Sequence, residues 1–139
     1  MGLVFSSILG FVGGILSWFA TNYWGRSLLR FWDVRLEAHE TMYLYANVYA
    51  DRPADLARAQ EGSANFRKLG AKIDGLRAIL PPLLSWYLRV RGYDLRLAAQ
   101  GLTGLSNSLG VKDGDMVRFR VQAQKNLCLP TDPEGHDGR

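Results

Sequence analysis

The sequence predicts an all-α protein in which one N-terminal transmembrane helix continues into a small antiparallel cytoplasmic bundle of three to four helices. Two observations predict this fold class. The first charged side chain belongs to Arg26, so residues 2–25 form one uncharged stretch. After it, apolar residues recur every three or four positions, and glycine or proline separates these periodic segments, as is typical where helices end.

Composition limits the remainder of the chain to one small domain. The chain has 139 residues, a formal net charge of +4 and a single cysteine, Cys128. One cysteine excludes an internal disulfide framework and most zinc modules, and the mild, mixed charge gives no reason to expect nucleic-acid binding. We therefore assign a transmembrane helix to residues 1–25, a cytoplasmic helical bundle to residues 26–128 and a disordered tail to residues 129–139.

The uncharged stretch has the length of a membrane span, because about 20 apolar residues cross a bilayer as a helix. Trp18, Tyr23 and Trp24 lie toward its C-terminal end, where amphipathic rings suit the headgroup layer. Arg26 and further arginines follow at once, which predicts a cytoplasmic C-terminal side and an N-terminus outside. A cleaved signal peptide is the main alternative, but the positive n-region is missing and the apolar core is too long. Residues 1–6 also fit the loose N-myristoylation pattern.

Small residues occupy one side of the same predicted helix. Ser6, Gly10 and Gly14 recur every four residues, a spacing that lets two helix backbones approach closely and pair within a membrane. The alternative is that glycine and serine are simply common in such helices. The pattern favours a homo-oligomer or a membrane-protein partner that packs on this side.

Two long helices are predicted to follow. Residues 26–49 contain no glycine or proline, and residues 53–80 form a second segment that Pro81 and Pro82 end. Each segment carries apolar positions at spacings of three and four that share one helix face. We interpret the face of the second segment as packing in the bundle core, and we predict that the aromatic-rich face of the first segment is a contact surface. The first face comprises Leu28, Trp32, Leu36, His39, Tyr43 and Ala46, and the second comprises Leu56, Ala59, Ser63, Phe66, Ile73 and Leu80.

The third helix has the clearest pattern. Its apolar residues alternate steps of three and four between Gly92 and Gly110, and Asp94 is the expected N-cap. Residues 115–127 fit either a helix or a strand of a hairpin that turns at residues 113–114. We prefer the helix, because a lone hairpin would have no sheet to join. The core positions of the third helix are Leu95, Ala98, Leu102, Leu105 and Leu109.

A short aromatic segment, residues 83–91, follows the two prolines. If the two long helices pack antiparallel, this segment returns to the level of Arg26. Aromatic residues beside arginines are typical of interfacial segments, so Trp86, Tyr87 and Arg89 are predicted to contact the membrane interface. The alternative is an ordinary helix that completes the bundle core.

Asp33, Glu37, His39 and Glu40 form the candidate polar cluster. A metalloprotease helix needs a second histidine four residues after the first, and position 43 is a tyrosine. A di-iron bundle needs Glu-x-x-His pairs from two helices, and a leucine stands three residues before His39. We therefore predict no metal, no cofactor and no catalytic residue.

Ion pairs are the expected role of the carboxylates. Asp33 is predicted to pair with Arg30, and the second long helix is predicted to contribute Arg67 or Lys68. His39 is predicted to pack against the aromatic and leucine residues of its own helix face, with one ring nitrogen hydrogen-bonded.

Two stretches resemble a family of short bacterial single-pass membrane proteins with an N-terminal anchor. The first is L-R-F-W-D-V-R-L-E-A-H-E at residues 29–40, and the second spans residues 92–109. The resemblance implies a location in the bacterial inner membrane and no known activity. It transfers no site residues.

These observations favour a non-catalytic, membrane-anchored helical interaction module, such as an accessory subunit, an assembly factor or a scaffold at the cytoplasmic face of the membrane. Its expected partners are the lipid bilayer and a second copy or another membrane protein, with no nucleic acid and no small-molecule substrate. One alternative is a lipid-surface sensor or membrane-remodelling protein that uses residues 81–91. Another is an enzyme on a lipid-type substrate that uses His39, which requires a pocket around that residue.

Overall fold

A computed structural model describes residues 2–46, 48, 53–109 and 115–130 of the chain. These ranges form helices and short connections and contain no strand. The prediction of an all-helical bundle is confirmed. In chain order the elements are α1 (Gly2–Ala20), a π-helical turn (Thr21–Gly25), α2 (Arg26–Leu44), α3 (Pro53–Ile79), α4 (Pro82–Val90), α5 (Leu95–Ser108) and α6 (Asp115–Asn126).

The prediction of a transmembrane helix over residues 1–25 is wrong. Within the described ranges, no helix combines the length and the apolar character that crossing a bilayer requires. The α-helix that begins at Gly2 ends at Ala20, and the π-helical turn that follows carries the polar residues Thr21 and Asn22. The uninterrupted α-helix is therefore shorter than the predicted span over residues 1–25. The predicted location of the protein in the membrane, and its predicted orientation there, rested on this span and are no longer supported by it.

The π-helical turn interrupts the helix where the predicted span would have continued. Thr21 Oγ1 donates to the carbonyl oxygen of Ser17 (2.8 Å), and Asn22 Nδ2 donates to that of Trp18 (3.0 Å). Polar side chains thus bond back onto the backbone of the preceding turn. A π-helical turn widens the helix locally and is found mostly as a single turn inside longer helices.

α2 and α3 pack antiparallel, as the sequence predicts. Lys72 Nζ lies 2.6 Å from Glu37 Oε2, and Asn65 Nδ2 donates to the hydroxyl of Tyr45 (3.1 Å). Later residues of α2 therefore contact earlier residues of α3. This register places α4 level with the start of α2, and α1 continues outward beyond that end of the bundle.

The core face of α2 lies beside the aromatic-rich face that the sequence predicts as a contact surface. Trp32, Leu36 and Tyr43 of that aromatic-rich face are exposed, and Tyr43 is 79% exposed. The core face is rotated from it by about one residue, roughly 100°, and both faces carry apolar residues at helical spacing. The ring of Tyr93 contacts both faces, at 5.0 Å from that of Phe31 and 6.3 Å from that of Trp32. The buried apolar residues of α2 are Phe31, Ala38 and Met42.

α3 matches its predicted bounds closely and most of its predicted core positions. Ala59, Phe66, Ile73 and Leu80 are buried, whereas Leu56 is exposed and Ser63 is half-buried. Leu69 and Leu76 complete the buried face. The small residues of α3 also face its neighbours, as described for Gly70 below.

α5 lies between α3 and α6 and is the most buried helix of the bundle. All of its predicted core positions are buried, and the carboxylate of Asp94 accepts a hydrogen bond from the backbone N–H of Leu97 (3.0 Å), which confirms the N-cap. Ser63 Oγ of α3 donates to the carbonyl oxygen of Ser106 (2.6 Å), and Gln122 Nε2 of α6 donates to that of Leu97 (3.1 Å).

The helical interpretation of residues 115–127 is confirmed by α6, which ends at Asn126. The alternative hairpin turn at residues 113–114 lies outside the described residues, as do Gly110, residues 49–52 and residues 131–139 of the predicted tail. Leu129, which the sequence assigns to the tail, is buried against the core.

α4 and α6 end in matching caps. The N–H of Tyr93 bonds to the carbonyl of Leu88 (3.0 Å), and the N–H of Leu129 bonds to that of Gln124 (2.9 Å). Gly92 and Cys128 precede these residues with φ of 87° and 48°, the left-handed conformation of a Schellman cap. The caps face each other, because a Cβ on Gly92 would lie 3.8 Å from Cys128 Sγ.

α5 and α6 lie so close together that one methyl group added between them is expected to lower the stability of the protein. A Cβ at position 101 would lie 2.8 Å from the backbone nitrogen of Ala123 and 3.0 Å from the carbonyl oxygen of Phe119. Because these are backbone atoms, Gly101→Ala is expected to lower the free energy of unfolding by about 1–3 kcal/mol.

Gly75→Ala is the matched control, because nothing lies within 4 Å of the added methyl group. It is expected to raise the free energy of unfolding by about 0.5–1 kcal/mol through helix propensity. Urea denaturation followed by far-ultraviolet circular dichroism measures both changes. A Gly101→Ala protein as stable as the wild type would contradict the packing.

Candidate interaction site

α1 carries large apolar side chains over about half of its circumference, opposite the side occupied by small residues. Every side chain described from Ser6 to Ala20 is exposed, and the large apolar ones range from 46% to 71% exposed. The apolar face of a helix is normally buried against another element. We call this set the α1 surface: Ile8, Leu9, Phe11, Val12, Ile15, Leu16, Trp18 and Phe19.

The predicted packing stripe of small residues lies open on this helix. No atom lies within 4 Å of the position that a Cβ would take on Gly10 or Gly14, and Ser6 is exposed. Another helix backbone can approach the stripe without steric hindrance. The predicted role of Ser6, Gly10 and Gly14 in helix packing stays a prediction.

The aromatic residues predicted at the membrane interface remain together where α1 joins α2. Trp18, Tyr23 and Trp24 are exposed, and the ring of Tyr23 stacks on that of Phe19 at 5.6 Å. Arg26 is also exposed. All four residues are therefore accessible near this junction, and their contact with lipid stays a prediction.

The four residues of the candidate polar cluster do not form a common site. Glu37 pairs with Lys72 across the two long helices, so an interhelical ion pair is present, although Arg67 and Lys68 are not its partners. Asp33 and Glu40 are exposed. Among the described residues the ion pairs are Glu37–Lys72 and Asp74–Arg77, so the predicted pair of Asp33 with Arg30 is not formed.

His39 is half-buried and is not enclosed by the residues predicted to surround it, because Trp32, Leu36 and Tyr43 are exposed. It lines none of the cavities described below. In the described part of the chain, no group of three histidine, cysteine, aspartate or glutamate side chains is placed to hold a metal ion.

Arg35 is the residue that sequence reasoning missed. Its Nε donates to the carbonyl oxygen of Leu127 (2.8 Å), and its Nη2 donates to that of Cys128 (2.6 Å). Its guanidinium also lies 5.2 Å from the ring centroid of Trp32. A cation at a helix C-terminus satisfies unpaired carbonyls and is favoured by the helix dipole, so Arg35 fastens the end of α6 to α2.

The sequence predicts residues 83–91 either as an interfacial segment or as a helix of the bundle core, and α4 has features of both. It buries Leu84 and Leu88 in the core and exposes Leu83, Trp86 and Val90 on the other side, with Trp86 64% exposed. We call these three exposed residues the α4 face. They lie beside the exposed Tyr87 and Arg89.

Arg91 adds a cation at the end of α4. Its Nε donates to the hydroxyl of Tyr87 (3.3 Å), and its guanidinium lies 5.7 Å from the centroid of that ring. The hydrogen bond to Tyr87 raises the pKa of Arg91 further above its usual value. The α4 face is therefore bordered by a permanent positive charge.

The fold and these surfaces define a small helical bundle with one unpartnered apolar helix. Comparison of the chain with protein-family models, with curated proteins and with solved structures gives no match. The resemblance of residues 29–40 and 92–109 to bacterial membrane proteins therefore carries no argument about function.

The contacts of Arg35 predict that its loss destabilises the bundle. Hydrogen bonds to a charged group contribute about 1.5–3 kcal/mol, so Arg35→Ala is expected to lower the free energy of unfolding by about that amount. Arg35→Lys is expected to recover only part of it, because an ammonium group lacks the planar fork that reaches two carbonyls.

Arg30→Ala is the control on the same helix, because Arg30 is exposed. Its expected effect is within about 0.5 kcal/mol. Urea denaturation gives the stabilities, and hydrogen exchange at the end of α6 reports on the local contact. Equal effects of the two alanine variants would show that Arg35 does not fasten α6.

Proposed function

We propose that this protein is a non-catalytic helical interaction module that associates with other copies of itself through α1. The supporting observation is the exposure of α1 on all sides while the rest of the described chain closes its own core. Burial of a large aliphatic or aromatic side chain contributes about 1.5–3 kcal/mol. Covering several residues of the α1 surface therefore suffices to offset the cost of association, about 4–15 kcal/mol.

A second copy of α1 is a suitable partner for two reasons. Residues 2–25 contain no charged side chain, so copies of this helix meet without charge repulsion. The open stripe at Ser6, Gly10 and Gly14 permits close backbone approach between helices. Because the large apolar residues lie opposite this stripe, a pair packed through the stripe leaves them exposed, and the assembly contains more than two copies.

An assembly of this kind presents several bundles around a common set of helices. That arrangement suits an accessory subunit, an assembly factor or a scaffold. The enzymatic alternative has no supporting observation, because it depends on a pocket around His39, which lines none of the cavities described.

A charge placed on α1 tests the proposal. Leu16 of α1 and Ile79 of α3 are both large, aliphatic and more than 60% exposed. An unpaired charge buried in an interface costs about 3–5 kcal/mol, so Leu16→Arg is expected to raise the dissociation constant by about a hundredfold or more. Ile79→Arg is the matched control and is expected to leave the assembly intact.

Sedimentation velocity of the full chain over a range of concentrations measures the assembly. The wild type and Ile79→Arg are expected to form the same species larger than a dimer, while Leu16→Arg sediments as a monomer. A wild-type protein that is monomeric throughout, or a Leu16→Arg protein that assembles normally, would contradict self-association.

Lipid-surface binding through the α4 face is a second candidate function. It is favoured by the exposure of Leu83, Trp86 and Val90 beside Arg89 and Arg91. An amphipathic helix with aromatic and basic residues lies in the plane of an anionic membrane surface and does not span it. The α2–α3 register places this face level with Arg26, so the aromatic residues near Tyr23 lie at the same end of the bundle.

Trp86→Asp tests this second function, with Tyr43→Asp as the control. Both rings are exposed, but Tyr43 lies on α2, away from the α4 face. Removing an aromatic side chain that enters the interface is expected to weaken binding by about tenfold or more, from the loss of about 1.5–3 kcal/mol.

Co-flotation of the full chain with vesicles that contain phosphatidylglycerol measures the binding. Trp86→Asp is expected to reduce the bound fraction and Tyr43→Asp to leave it unchanged. Equal binding of both variants and the wild type would exclude the α4 face as the lipid contact.

A further inference from the structure

Two adjoining cavities lie on the outer side of α3 and α5. The first, of about 650 Å³, runs between the two helices, and the second, of about 470 Å³, extends from it toward α4. Arg77 and Arg96 line both cavities, so the two adjoin at these arginines, and we call them together the α3–α5 groove. Ligand pockets in proteins typically occupy about 300–1,000 Å³.

The shape of the groove follows from the spacing of small and long residues. Gly70 lies at the closest approach of the helices, because a Cβ there would stand 2.8 Å from Thr103 Oγ1. Small residues such as Ala71 and Ala99 line the same part of the cavity. Long polar side chains from both helices line the rest, notably Arg67 and Arg77 of α3 and Arg96, Gln100 and Asn107 of α5.

The charge of the groove is positive. Arg67, Arg77, Arg89 and Arg96 contribute four cations, and the carboxylates are Asp74 and Asp94. Both carboxylates already accept hydrogen bonds within the fold. Asp74 accepts from Nε of Arg77 (3.0 Å), and Asp94 caps α5. Among the described residues, Arg96 and Arg67 belong to no ion pair.

We propose that the α3–α5 groove binds a phosphate group between the guanidinium groups of Arg77 and Arg96. The planar guanidinium fork matches phosphate oxygens with two donors, which makes arginine the preferred residue for this group. Asp74 Oδ1 lies 3.0 Å from both Nε and Nη2 of Arg77 and so orients the guanidinium, while Nη1 takes no part in this contact. The amide groups of Gln100 and Asn107 supply neutral donors along the same groove.

The phosphate belongs either to a soluble phosphorylated molecule or to the headgroup of an anionic phospholipid. The groove lies on the bundle and includes no residue of α1. Phosphate binding is therefore independent of self-association, and a Leu16→Arg protein that is monomeric is expected to retain it.

Titration calorimetry of the full chain with inorganic pyrophosphate, at constant ionic strength, tests the soluble source. The variant is the double substitution Arg77→Gln and Arg96→Gln. The matched control is Arg58→Gln with Arg118→Gln, because both arginines are exposed and line neither cavity. Each lost charged hydrogen bond is expected to weaken binding by about tenfold or more.

Co-flotation with phosphatidylcholine vesicles, with and without phosphatidic acid, tests the lipid source. A preference for phosphatidic acid that is lost in the groove variant and kept in the control identifies a headgroup. Pyrophosphate binding with the same dependence, but without a vesicle preference, identifies a soluble phosphate compound.

The proposal is overturned if neither probe binds, or if both double variants bind each probe as the wild type does. Urea denaturation is expected to give the same stability for the two double variants, since exposed ion pairs contribute about 0–1 kcal/mol. The single variant Arg96→Gln, which breaks no ion pair among the described residues, is expected to show an intermediate loss of binding.

Discussion

The apolar surface of α1 is the constraint on which the interpretation of this protein depends. Its large side chains lie on one half of the helix, opposite the small residues. The bundle does not cover them, because its own core is filled by residues of α2 to α6 and α1 extends away from it. The proposed self-association would cover this surface, and copies of α1 would meet there without charge repulsion.

Close helix packing and one arginine join α2, from which α1 extends, to the rest of the bundle. α5 packs between α3 and α6 through positions where a glycine replaces a side chain, notably Gly101 and Gly104 against α6. Arg35 then connects α2 to the C-terminal cap of α6, close to the cap that ends α4. α1 continues from α2 through the π-helical turn.

Sequence reasoning predicted the helices well and their surfaces less well. The start and the core face of α5 could be predicted, because its apolar residues form one continuous helical face and Asp94 is a clear N-cap. The buried face of α2 could not, because apolar residues occupy two faces of this helix and Tyr93 packs against both Phe31 and Trp32. The transmembrane prediction failed because the uncharged stretch does not form one uninterrupted α-helix: α1 ends at Ala20, and a π-helical turn follows. The α3–α5 groove could not be predicted from the sequence, since Arg67, Arg77 and Arg96 come together only through helix packing.

The distance between copies of α1 is the most direct measurement of the central claim. A spin label on Ser17→Cys, in a Cys128→Ser background, places the probe on the exposed helix and removes the exposed native thiol. Pulsed dipolar spectroscopy of the full chain should detect intermolecular distances set by helix separations of about 8–10 Å plus the label arms. Labels that sense no second copy at any protein concentration would show that α1 does not associate with itself.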